Sequence, residues 1–175
     1  MKFTPTDIEG AFVIDPEPHL DERGFFARQW CARELDEHGL LGTIAQISMS
    51  QSHARHTLRG LHYSVAPRAE TKVVHCVRGS IFDVLVDLRP GPQQARWVSF
   101  VLSAENRRML YVPEGVAHGF LTLDDATEVQ YLISEFFDAS CARGVRYDDP
   151  AFGIRWPAPP AVIAPRDASY PDFTP

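Results

Sequence analysis

Three cysteines in 175 residues, Cys31, Cys76 and Cys141, are too few, odd in number and too widely spaced to form a disulfide framework. No Cys-x-x-Cys pair supports a structural zinc site either, so free thiols are expected. Long apolar runs are also missing: nothing approaches the roughly 18 residues of a membrane-crossing helix. Met1-Lys2-Phe3-Thr4-Pro5 lacks the apolar segment that follows the start of a secretory signal. The expectation is a cytoplasmic protein with no membrane partner. Positive charge is in deficit, with 17 Lys and Arg against 23 Asp and Glu and a net charge of -6. That balance excludes a general grip on nucleic acid and leaves an anionic ligand to a local cluster of arginines. Helical periodicity is scarce as well. Cys31–Gly39 is the best candidate, with Glu34, Leu35, Glu37 and His38 ahead of a closing glycine.

What remains is strand and turn. A chain of this length is about one domain with one core, and residues 1–175 show no repeat, no low-complexity stretch and no second-domain boundary. Strands are expected at Ala11–Ile14, Gly24–Trp30, Thr43–Met49, Thr57–Tyr63, Thr71–Val77, Ser80–Leu88, Ala95–Leu102, Met109–Val112, Gly119–Thr122 and Thr127–Glu135. In Ser80–Leu88, Phe82, Val84, Val86 and Leu88 form an apolar face, against Ile81, Asp83, Leu85 and Asp87 on the other. Short strands at spacings of roughly ten residues, separated by Gly and Pro turns, point to an all-β sandwich or barrel. The proline-rich tail from about 156 to 175 is expected to wrap the body as extended chain.

Chemistry concentrates in the middle of the chain. Arg59-Gly60-Leu61-His62-Tyr63 and Pro113-Glu114-Gly115-Val116-Ala117-His118-Gly119-Phe120 each place a histidine in a strand, with Lys72 between them and Tyr131 beyond. Histidine moves protons near neutral pH. A base, a fixed cation and a phenol suit proton transfer next to a carbonyl, where the developing enolate oxygen needs a positive charge or hydrogen-bond donors. His75, beside Cys76, reads as structural, and Asp83 in a strand interior needs a partner if buried.

Pro113-x-Gly115-x-x-His118 resembles the second motif of the cupin jelly rolls. The larger set resembles the dTDP-4-dehydrorhamnose 3,5-epimerase family: Asp21–Phe26, Leu58–Tyr63, Lys72-Val73-Val74, Phe82-Asp83-Val84, Val86–Arg89, Leu102–Asn106, the His118 segment, and Asp148-Asp149-Pro150 through Trp156-Pro157, in the same order. The resemblance implies a cupin-like double-sheet jelly roll with one or two short helices. It further implies a homodimer acting without cofactor or metal on a nucleotide-sugar, a nucleoside-diphosphate 4-keto-6-deoxy-hexose, by inverting ring carbons next to the keto group. It places His62 as general base, Tyr131 as general acid on the opposite face and Asp167 as the carboxylate orienting the histidine, with Asp83 an alternative for that last role. Lys72 would stabilise the enolate. Arg23, Phe26, Arg28, Gln46, Ser48, Arg59, Lys72, His118 and Arg166 fall at or beside substrate-binding positions, with Arg23, Arg59 and Arg166 expected on the diphosphate.

The chain departs from the family pattern on the nucleotide side, at Arg28, at Ser48 in Gln46-Ile47-Ser48, and at Ala142 where the family has a glutamate. A GDP- or CDP-linked hexose or heptose therefore stays open. Phe136 stands where double epimerases carry a tyrosine, which keeps a 3-epimerase, or a single 5-epimerase, open. Two readings from other classes are a non-catalytic sugar-binding jelly roll and a metal-dependent cupin. Against the metal reading, Ser64 occupies the second place of the His-x-His pair that a cupin metal centre requires.

Overall fold

The computed structural model describes residues 1–174. In chain order its elements are β1 (Lys2–Pro5), β2 (Phe12–Asp15), β3 (His19–Asp21), β4 (Gly24–Phe26), α1 (Ala32–Glu37), β5 (Gln46–Ser52), β6 (Thr57–Ser64), β7 (Lys72–Arg78), β8 (Ser80–Asp87), β9 (Trp97–Ser103), β10 (Met109–Val112), β11 (Val116–Thr122), β12 (Thr127–Ile133), β13 (Ala142–Gly144), β14 (Val162–Ile163) and α2 (Pro165–Ala168). One sheet has the order β1-β2-β10-β7-β12-β5 and the other β13-β6-β11-β8-β9. Pairing within both is antiparallel, except that β14 joins β6 in parallel. This is a double-sheet jelly roll with two short helices. No helix among the described residues is long and apolar enough to cross a membrane.

Period-two alternation decides which side chains meet. Val74, Cys76, Leu110 and Val129 from the first sheet pack against Ile81, Leu85, Val116 and Phe120 from the second, forming the core between the sheets. The other face of the second sheet is buried too: Leu61, Val84, Val86 and Ala117 lie under Val145, Phe152, Trp156 and Phe173 of the C-terminal segment. The outer face of the first sheet, with Ile14, Val73, Met109 and Tyr111, is covered by Leu35 of α1 and by Leu40. Burial of each large apolar side chain stabilises the fold by about 1.5–3 kcal/mol, so three such clusters hold both sheets and the tail together.

Both faces of β8 are therefore covered. Its wholly apolar face turns outward, under the tail, and the face carrying Asp83 turns into the sandwich with Ile81 and Leu85. Two expectations are corrected. The strand expected over Gly24–Trp30 is paired only over Gly24–Phe26, whose residues are all exposed, because the β3–β4 hairpin stands apart from both sheets. The strand expected at Thr43–Met49 runs instead over Gln46–Ser52, pairing with β12 along its whole length. The tail is not simply extended. It adds β14 to the sheet and then a single helical turn, with Pro165 at the start where its missing N–H costs nothing. The three cysteines are free.

Candidate active site

Positions on six strands, β5, β6, β7, β11, β12 and β14, open into a cavity of about 370 Å³ between the sheets, lined by Ser50, Arg59, His62, Lys72, His118, Tyr131 and Asp167, with Thr57, Leu58, Phe120 and residues Val162 to Ala164 completing its walls. A second lobe of about 260 Å³ shares His62 and Lys72 and is lined further by Gln46, Ser48, Glu70, Phe137, Ala142, Arg143 and Arg166. His62 and His118 come from the second sheet, Lys72 and Tyr131 from the first. Neighbouring strands bring the histidines together, since His118 is the direct cross-strand partner of His62.

His62 is held by the tail. Its Nε2 lies 2.8 Å from Asp167 Oδ1, while Asp167 Oδ2 accepts a hydrogen bond from the Gly60 N–H at 3.1 Å. Asp167 is 4% exposed. Burial alone would raise its pKa, but the His62 and Gly60 hydrogen bonds outweigh it and hold the carboxyl below the usual range. With Nε2 engaged, Nδ1 is the ring nitrogen left for a ligand. Tyr170 stands edge-on to the imidazole, ring centroids 6.3 Å apart, over Gly144, where any Cβ would overlap its ring. Asp167 and Asp83 thus separate: the first pairs with His62, and the second, fully buried, lies 2.7 Å from His118 Nε2.

On the opposite sheet Tyr131 bonds Ser50 Oγ at 3.0 Å, and burial pushes its phenol up to about 12. It is a proton donor throughout the neutral range. Lys72 Nζ pairs with Glu70 Oε1 at 2.7 Å, the two side chains being 9% and 12% exposed. Arg59 is fixed by donating from Nε to Ser52 Oγ at 3.1 Å and from Nη2 to the Gln51 carbonyl at 2.7 Å. Gln46 Oε1 accepts from the Phe137 N–H at 2.6 Å, which leaves its amide donors for the second lobe. Among the described residues no group of three or more His, Cys, Asp or Glu side chains could hold a metal ion.

The fold therefore gathers His62, Tyr131, Asp167, Lys72, Arg59 and His118 around one lobe, and Gln46, Ser48 and Arg166 around the next. Arg23, Phe26 and Arg28 are outside both. Arg23 pairs with Asp21 within the β3–β4 hairpin, Arg28 with Glu34 of α1, and Phe26 is 74% exposed. Phe136 is exposed and lines neither lobe, whereas its neighbour Phe137 lines the second. Ser50, Glu70, Arg143 and Tyr170 escaped the sequence reading. Ser50 alternates in register with Ser48 on β5 and could have been found so; the others carry no local signal, since their partners are set by tertiary packing.

Comparison with known proteins agrees with this geometry. The family model described as dTDP-4-dehydrorhamnose 3,5-epimerase matches residues 5–174. The chain is 36% identical to the dTDP-4-dehydrorhamnose 3,5-epimerase of Shigella flexneri over 99% of its own length and 96% of that protein. It is 37% identical to the dTDP-4-dehydrorhamnose 3-epimerase of Streptomyces niveus, covering 95% of this chain and 81% of that one. The crystal structure of dTDP-4-dehydrorhamnose 3,5-epimerase from Bacillus anthracis, with TDP and PPi bound, superposes with a TM-score of 0.94 at 35% identity, over 98% of this chain and 99% of the other. Sequence, fold and the composition of the cavity converge, and the chain belongs to the dTDP-4-dehydrorhamnose 3,5-epimerase family of isomerases.

Proposed function

We propose that this epimerase acts on a dTDP-linked 4-keto-6-deoxy sugar and inverts carbons next to its keto group by proton transfer between the two sheets. The observation that carries the reading is the placement of His62, backed by Asp167, and Tyr131, backed by Ser50, on opposite sheets of one cavity. Inversion needs two groups on two faces of the ring, because a single base returns the proton where it found it. His62 Nδ1 takes the proton from the carbon, the C–H electron pair becomes the enolate double bond, and the carbonyl π pair moves onto oxygen, where Lys72 meets the charge. Tyr131 then donates its proton to the other face. The phenolate left behind is eased by the Ser50 hydroxyl and by the nearby Arg59 guanidinium.

The second lobe takes the diphosphate and base. Arg166 and Arg143 supply the planar donor forks that suit phosphate oxygens, and Arg59 flanks them from the first lobe. The working unit is a homodimer. The β3–β4 hairpin carries Leu20 at 81% and Phe26 at 74% exposure, and edge strand β5 adds the exposed Ile47 and Met49, an apolar surface that a second copy would cover. Arg23 and Arg28 reach substrate only across such an interface.

The test is incubation in deuterated water with dTDP-, GDP- and CDP-4-keto sugars, counting deuterons by carbon. Two deuterons on a dTDP sugar mark a 3,5-epimerase and one marks a single epimerase. Incorporation into none of the dTDP sugars overturns the reading.

A further inference from the structure

Asp83 lies in the middle of β8 with no exposed surface, beneath the cavity floor, and the proton relay above makes no use of it. His118 Nε2 is 2.7 Å from its Oδ1, at the short end of the hydrogen-bonded range. The two groups are not well aligned, so by angle both Asp83 oxygens and His118 Nε2 count as buried polar atoms without a partner. The distance is the stronger statement. A bare nitrogen lone pair and a carboxylate oxygen repel at that separation, so a hydrogen lies between them, bent or not.

The titratable groups facing Asp83 are His118 on β11, Lys72 and Cys76 on β7, and Tyr131 on β12. Burial pushes the Cys76 thiol up to about 11 and the Tyr131 phenol up to about 12, so neither is charged. Lys72 is the cation of the group, and Glu70 already neutralises it at 2.7 Å. An ionised Asp83 beside a neutral imidazole would then be a sealed negative charge with no counter-charge of its own, an expensive arrangement. Burial raises the Asp83 carboxyl above its ordinary range, against the opposing pull of His118 and Lys72.

We infer that Asp83 and His118 together hold one proton more than a carboxylate and a neutral imidazole, so that His118 Nδ1 carries a hydrogen towards the cavity and serves, beside Lys72, as a second donor to the substrate's keto oxygen. Two arrangements satisfy this: a carboxylate beside an imidazolium, or a carboxylic acid donating to Nε2. In both, Nδ1 is a donor. When His62 takes the carbon-bound proton, the charge arriving on the keto oxygen meets the His118 N–H and the Lys72 ammonium in a dry site. His118 keeps its proton throughout. Asp83 is a positioning residue, acting through His118. The role at the keto oxygen rests on the epimerase reading; the proton count does not.

Long-range ¹H–¹⁵N correlation of the imidazole groups at neutral pH reads the proton count directly, with the His118 signals identified by their loss in His118→Asn. A protonated Nδ1 is expected, and a bare Nδ1 in the wild type overturns the inference whatever the enzyme's substrate. In turnover, Asp83→Leu removes the carboxyl and leaves the buried His118 Nε2 without its partner. It is expected to lower kcat by at least about tenfold with KM within about twofold, and to slow deuterium exchange in parallel. Asp83→Asn, whose amide can donate to Nε2 and keep hydrogen on Nδ1, should recover part of the loss. Exchange at the wild-type rate in Asp83→Leu sinks the proposed role; should that variant not fold, an Asp83→Asn enzyme with a bare Nδ1 and full activity sinks it equally.

Discussion

Gly60 and Gly119 meet backbone to backbone across the β6–β11 ladder: a Cβ on Gly60 would sit 2.6 Å from the Gly119 Cα, and one on Gly119 would sit 2.7 Å from the Arg59 carbonyl oxygen. The register of the ladder shifts between His118 and Phe120, and this close approach accommodates the shift. Gly60 also has φ of 115°, which L side chains rarely adopt. The pair therefore sets where His62 stands relative to His118. Gly119→Ala should cost about 1–3 kcal/mol by overpacking and lower kcat with it. Thermal denaturation checks the first, and an unchanged melting temperature would refute the argument.

Asp167→Asn leaves the shape of the tail but breaks the charge-assisted pair with His62. A loss of about 10²-fold or more in kcat is expected, with KM little changed. Because the folded-state pKa of Asp167 is depressed, its contribution to stability is present above the ordinary carboxylate pKa and disappears as pH falls through the lowered value. Wild-type melting temperature should fall on acidification below about pH 4, and the Asn variant should lack that part of the fall. Parallel acid profiles for the two proteins would contradict it.

Tyr131→Phe removes the proton donor on the first sheet while His62 remains on the second. Deuterium should still wash into the sugar, and inversion should stop. Exchange and epimerisation then separate. Full-rate inversion by this variant would mean that another acid reprotonates the ring.

Glu70→Gln leaves Lys72 as a nearly buried cation without its partner. Removal of one member of a buried pair is destabilising, at most about 3–5 kcal/mol when burial is complete. The free protein should melt earlier than wild type. Added dTDP, an anion entering the same lobe, should restore more degrees of stability to the variant than to the wild type. Equal ligand-induced shifts would show that Glu70 does not neutralise the site.

Phe26→Asp on the hairpin places charge on a 74% exposed apolar tip. A monomer free in solution would tolerate it. If the hairpin lies against a second copy, sedimentation should show dissociation, and activity should fall with it even though Phe26 lines neither lobe of the cavity in its own chain.

The sequence by itself determined the strands, because period-two alternation of apolar residues is a local property: β10 is found where expected, and β6, β7, β8 and β12 within two residues of it. It also determined that Lys72 shares a face with Val74, and His118 with Phe120, since that follows from the pleat alone. Which face turns inward was decided only by tertiary structure. Both faces of β8 are covered, so its polar face, with Asp83, lies between the sheets and its apolar face under the tail. The pairings that tune the site are equally nonlocal. Asp167 reaches His62 across 105 positions of sequence because β14 docks on β6, and Asp83 meets His118 because β8 and β11 are neighbours. Arg23 and Arg28, placed at the site by the family resemblance, line neither lobe within the chain, because the β3–β4 hairpin and the segment after it pair with neither large sheet.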